Sequence, residues 1–199
     1  IFIPNGAYNP TAVVHTPYPV EQVDFNYRGM YSIYNWELFF HIPLLIATRL
    51  SQNQKFDEAR KWFHYIFDPT RSSSSATSGT ERFWITNPFK EEIEKGILSI
   101  EDLINNASPD LDLQLNNWEQ NPFKPHAVAR LRISAYMRST VMKYIDNLIA
   151  WGDRLFQQDT IETINEATLL YVLAANMLGK KPERVPARAI PEENSFLTI

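Results

Sequence analysis

Apolar residues recur at helical spacing along most of this chain, and Pro and Gly mark where that rhythm stops. The rhythm begins near Ser32. Ser32 or Asn35 is placed to cap a helix, and Glu37 falls in its first turn, where the helix dipole favours an acid. From Trp36 to Leu50 the run is apolar nearly all round, which predicts burial on most sides. Pro43 lies inside that run, removes a backbone donor and predicts a kink. After the polar break at 51–54, Phe56, Ala59, Phe63, Ile66 and Phe67 line one face of a helix predicted over 55–67, which Asp68-Pro69 ends. So short a link makes the two an antiparallel αα-hairpin.

Residues 88–121 carry two or three shorter helical patterns, interrupted by Gly96, Pro109 and Pro122. The longest element is predicted from Pro125, a favoured first-turn residue, to about Gln158. Met137, Val141, Tyr144, Leu148, Trp151 and Leu155 form one apolar stripe on it; Met142, Ile145, Ile149 and Phe156 form another. Two stripes imply packing on two sides, as for a central bundle helix. Asp159 with Glu162 is a capping-box signal for a last helix, which reaches Leu178 and stops at Gly179.

These readings give a mainly α fold: a helical bundle of antiparallel αα-hairpins over 31–179, with a flexible Ser- and Thr-rich loop at 70–82. Residues 1–30 hold four Pro and form an extended arm, with room for short strands at 1–3 and 20–25. Residues 180–199 carry Pro182, Pro186 and Pro191 and make a linker-like tail. The pattern around Arg49-Leu50 and Phe56-Asp57-Glu58-Ala59 is echoed at Arg154-Leu155 and Ile164-Asn165-Glu166-Ala167. Helical-repeat arrays show such echoes, although this period does not recur cleanly.

Composition narrows the function classes. With 19 basic and 23 acidic residues the net charge is −4, so no basic field is available to displace counterions from a nucleic acid. No run of 18 apolar residues occurs, so no single-helix membrane span is expected. The chain lacks Cys, which excludes disulfides and thiolate metal sites. Its apolar ends and the lack of an initiating Met or signal peptide suit a piece of a longer protein.

Candidate chemistry is sparse. No Gly-rich phosphate loop, HExxH pair or GxSxG elbow occurs. His41 and His64 each lie about eleven residues from the apex of the first hairpin. Antiparallel helices would put both about 17 Å from the turn, at the same height. They are the candidate pH-sensitive pair; the plainer reading is two hydrogen-bonded histidines among aromatic rings. With no third ligand nearby in sequence, no metal or cofactor is implied. Glu37, Glu58, Asp146, Asp153 and Glu166 could supply carboxylates for acid–base work, but each has helical neighbours that make it a cap or a surface ion pair. Arg130, Arg132, Arg138 and Lys143 give the long helix a basic flank, explained by solvation or an inter-domain contact. The aromatic run Tyr27, Tyr31, Tyr34, Trp36, Phe39 and Phe40 is expected to be core rather than a carbohydrate or membrane platform. A glycan hydrolase would need two carboxylates about 5–9 Å apart across one cleft.

Longer strings carry a family resemblance. The segment from Tyr31 to Leu45, with Trp36-Glu37-Leu38-Phe39 at its centre, resembles part of the A components of bacterial Tc toxin complexes, the insecticidal toxins of the Photorhabdus and Xenorhabdus type. So do the segment Phe56-Asp57-Glu58-Ala59 through Asp68-Pro69, and Ala135-Tyr136-Met137-Arg138. The same holds for Asn147-Leu148-Ile149-Ala150-Trp151-Gly152-Asp153, Asp159-Thr160 and Asn165-Glu166-Ala167. The resemblance covers about residues 25–185. It implies a secreted or cell-surface, pentameric, pore-forming translocation subunit whose largely helical shell surrounds a channel and opens when pH changes. This stretch would be the last part of the shell, before the linker. It would be non-catalytic, packed against neighbouring domains and subunits, with membrane insertion and contact to the B and C components left to other regions. A helical-repeat-like protein-interaction module is the alternative function.

Overall fold

The structure is a computed structural model of the 199-residue chain, described here for residues 23–26, 29–72, 79–95, 109–124, 126, 129 and 132–181. The described residues are mainly helical and hold no strand beyond one isolated bridge. Most of the arm (1–22), the loop centre (73–78) and the tail from 182 onward lie outside the described residues. Two compact units divide the chain, residues 1–144 and 145–199, and the division falls within the longest helix.

In the first unit, helix α1 spans Ser32–Trp36 and leads through a π-helical turn, Glu37–His41, into α2, Ile42–Gln52. The break expected from Pro43 takes the form of that turn. The Ile42 N–H donates to the Glu37 carbonyl, five residues back. This wider register comes just before the residue whose ring would press on the carbonyl four positions earlier, and Pro43 then sits in the first turn of α2, where no donor is needed. Ser32 does not cap its own helix. Its hydroxyl donates to the Phe25 carbonyl (3.0 Å), as the Trp36 indole N–H does (3.3 Å), while Asn35 donates to the Asp24 carbonyl (2.7 Å). These three bonds fasten residues 24 and 25 across the first turn.

Helix α3, Phe56–Phe63, packs on α2, so the first hairpin is present. Gln54 closes it with φ +60°. The helix ends four residues earlier than the apolar spacing implies. Ile66 and Phe67 are buried all the same, because the chain leaves the helix to pair with an incoming segment. Phe67 and Trp84 form an antiparallel bridge, with the Asp68 N–H donating to the Phe83 carbonyl (2.7 Å) and the Ile85 N–H to the Ile66 carbonyl (3.0 Å). A 3₁₀ turn at Thr80–Phe83 delivers Trp84 to that bridge, and α4, Asn87–Lys95, follows and packs on the turn. Helix α5 spans Pro109–Gln120.

Ring contacts join these elements into one aromatic core. Trp36, Phe40, Phe89 and Tyr136 pack with centroid separations of 4.9–5.9 Å. Trp84 meets Phe89 at 5.0 Å and Phe67 at 4.9 Å, and Phe67 and Phe63 stand edge-on to Tyr144. Most pairs are edge-to-face or tilted, the arrangement the ring quadrupole favours, with about 0.5–1.5 kcal/mol per pair beyond area burial.

Helix α6, Ile133–Phe156, is the longest element, and α7, Ile161–Leu178, follows it. In the second unit, Tyr171 lies over Gly152, where a Cβ would come within 2.7 Å of its ring, and its hydroxyl donates to Asp153 (2.7 Å). The capping box forms one residue later than the sequence suggests. Asp159 takes φ +53°, which leaves Thr160 extended at the N-cap; its hydroxyl accepts from the Thr163 N–H, and the Thr163 hydroxyl accepts from the Thr160 N–H. Gly179 ends the helix at φ +74°.

Candidate functional site

Among the described residues, the histidines of the first unit lie in two clusters, one at each expected histidine. His41 is the last residue of the π-helical turn, which points Phe40 into the core. Its ring stands 4.3 Å from that of His126 and 5.6 Å from Tyr136. His126 Nδ1 and the Tyr136 hydroxyl are 3.0 Å apart. The sequence paired His41 with His64, yet the ring beside it is His126. Nothing periodic links residues 41 and 126, so only the tertiary fold brings them together.

His64 sits at the C-terminal end of α3 and belongs to a separate cluster. Its Nε2 is 3.2 Å from the Tyr144 hydroxyl of α6, and its Nδ1 is 3.8 Å from Asp68. Asp68 is itself engaged, accepting from the Thr70 N–H (2.9 Å) and hydroxyl (2.6 Å). Burial holds the His64 imidazole below its usual titration range; Asp68 opposes that shift and Arg60 reinforces it. Tyr144 is fully buried, and burial pushes its hydroxyl up to about 12.

Two of the expected carboxylates have local partners. Glu58 pairs with Lys55 (3.5 Å) on the surface of α3, and Asp153 accepts from Tyr171, whose hydroxyl that bond holds above its ordinary range. Asp57, in the first turn of α3, is the better-paired acid. Lys61 (2.8 Å) and Arg60 (2.6 Å) both reach it, and the Lys61 hydrogen bond holds its carboxyl below the usual range. Among the described residues, no three His, Asp or Glu are grouped as metal ligands, and no helix is long and apolar enough to cross a membrane. A depression of about 450 Å³ along α5 is lined by Leu115, Asn116, Trp118, Glu119 and Pro122, with Glu119 the one ionisable group among them. One carboxylate cannot provide the acid–base pair that glycoside hydrolysis requires.

The aromatic run divides by face. Trp36 and Phe40 are 4% and 1% exposed, whereas Tyr31 and Tyr34 stand 65% and 71% exposed. With Leu38, Ile42 and Leu45, those two tyrosines form an apolar row along the outside of α1 and α2.

These features define a class: a mainly α-helical packing segment in which buried rings and helix-end bonds predominate, similar in sequence and in fold to a segment of Tc toxin A-type components. Three such relatives can be named. Toxin subunit YenA2 of Yersinia entomophaga is 25% identical over 157 residues, 78% of this chain and 10% of that protein. The cryo-EM structure of Morganella morganii TcdA4 is 32% identical over 83% of this chain and 6% of its own, with a TM-score of 0.57. The cryo-EM structure of Yersinia pseudotuberculosis TcaA–TcaB is 25% identical over 78% of this chain and 8% of its own, also with a TM-score of 0.57. No protein-family model matches. The chain therefore spans a tenth or less of the length of these relatives.

Proposed function

We propose that this chain is a non-catalytic structural segment of the pore-forming, translocating A subunit of a secreted Tc toxin, forming part of the helical shell around its channel. The single observation that carries the reading is the 32% identity to TcdA4 over 83% of this chain, joined to a common fold. Physical chemistry supports it. The buried side chains are mostly rings and aliphatic groups, and the buried Ser32 and Thr140 hydroxyls donate to backbone carbonyls, which hold helices together. The outer row Tyr31, Tyr34, Leu38, Ile42 and Leu45 is larger than a lone surface helix needs, and in a shell it packs against neighbouring domains or subunits of the same toxin.

Cryo-EM of the whole toxin polypeptide that contains this sequence tests the proposal. The expected map is a pentamer with α1–α7 in the outer wall, ahead of the linker. A map with these helices inside the channel, or in a protein of another architecture, contradicts it.

A further inference from the structure

We propose that the His64–Tyr144 contact is a one-proton latch: neutral His64 holds the end of α3 to α6, and a proton on its ring reverses the hydrogen bond and loosens that hold. The inference concerns this contact alone and stands whether or not the shell reading does.

Tyr144 keeps its proton throughout the physiological range, because burial places its ionisation at about 12. That hydroxyl must donate to something. Its hydrogen-bond partner among the described residues is His64 Nε2, 3.2 Å away. A neutral imidazole meets the need when its proton sits on Nδ1, the nitrogen facing Asp68 at 3.8 Å, since Nε2 then offers a lone pair. Protonation removes that lone pair. Both ring nitrogens become donors, so Nε2–H can only donate to the tyrosine oxygen, and the hydroxyl's own hydrogen loses its acceptor. The ring beside it offers no replacement. Tyr144 has no exposed surface, and Phe63 and Phe67 meet it edge-on. An unsatisfied buried donor is among the costlier defects in a protein interior.

The charged groups facing His64 divide. Asp68, in the turn after α3, would favour the imidazolium, but at 3.8 Å it makes no close bond and already accepts two hydrogen bonds from Thr70. Arg60, one turn earlier on α3, repels it. From α6 the facing group is Tyr144 itself, which is neutral. Burial tips the balance, and the ring titrates below its ordinary value.

The linkage has a definite sign. A histidine whose folded titration point is lower than its unfolded one, about 6.5, takes up its proton more readily in the unfolded chain. Stability is then complete above about pH 6.5, falls as pH drops from there towards the folded titration point, and levels off below it.

The test is NMR titration of the His64 ring in the full chain, with urea denaturation of the wild type and His64→Gln from pH 8 to pH 5. Glutamine offers an acceptor and does not titrate. The expected midpoint for His64 lies below 6.5, and the wild type loses stability relative to His64→Gln as the pH falls. Asp68→Asn should move the midpoint lower still. A midpoint at or above 6.5, or a wild type that gains on His64→Gln in acid, overturns the latch. Should His64→Gln fail to fold, the wild-type midpoint and the Asp68→Asn shift decide alone.

Discussion

A buried phenylalanine asks only to be surrounded, whereas a buried tyrosine or histidine also needs a partner for its polar atoms. The core answers both demands, and that sets what single substitutions do. Phe40 is 1% exposed and meets Trp36, Phe89 and Tyr136. Phe40→Ala should cost about 3–5 kcal/mol, read as a lower urea midpoint. Asp57 behaves differently. The Lys61 and Arg60 contacts that depress its titration point contribute stability above the ordinary carboxylate range near pH 4, lost as pH falls through the lower, folded value. Lys61 is 68% and Asp57 43% exposed, so solvent screens the pair: Asp57→Asn should lose under about 1 kcal/mol at neutral pH, and its gap with wild type should close in acid denaturation as Asp57 takes up its proton. At this scale the sequence was only partly legible. It marked His41 and His64 as the histidines of interest. It could not find His126 or Tyr144 as their neighbours, because those lie 85 and 80 positions away and no local pattern encodes such pairs.

Elements were far more legible, since their signals are local. Helices from Ser32, after the turn near residue 54, around 87–120, through Tyr144 and up to Gly179 all follow apolar spacing and stop signals. The misses have physical causes. Phe67 kept the helical rhythm but left the helix, because pairing with Trp84 buries it just as well. Of the second stripe on α6, Ile145 is buried as its spacing implies, yet Met142, Ile149 and Phe156 are exposed within this chain; periodicity shows that a face is apolar, not what covers it. Two substitutions test the element-level account. Thr160→Ala removes the side-chain half of the capping box and should cost about 0.5–2 kcal/mol, with faster amide exchange confined to the first turn of α7. Gly152→Ala places a methyl within 2.7 Å of the Tyr171 ring, and should cost about 1–3 kcal/mol by overpacking. Its thermal melt should fall further than that of Tyr171→Phe, which loses only the bond to Asp153.

At the scale of the whole molecule, fold class and kinship were readable and position in an assembly was not. Long ordered strings such as Trp36-Glu37-Leu38-Phe39 carried the resemblance, and the similarity to TcdA4, TcaA–TcaB and YenA2 agrees with it. The exposed row from Tyr31 to Leu45 is the surface for which we propose contacts with neighbouring domains or subunits. The central claim is that this segment works by packing and not by chemistry. Translocation activity of the whole toxin, compared between Phe40→Ala and the combined Glu37→Gln, Glu58→Gln, Asp146→Asn and Glu166→Gln variant, tests it most directly. Activity kept by the four neutralised acids and lost with Phe40 is the predicted result; activity lost with the acids while the toxin still folds and assembles would contradict it.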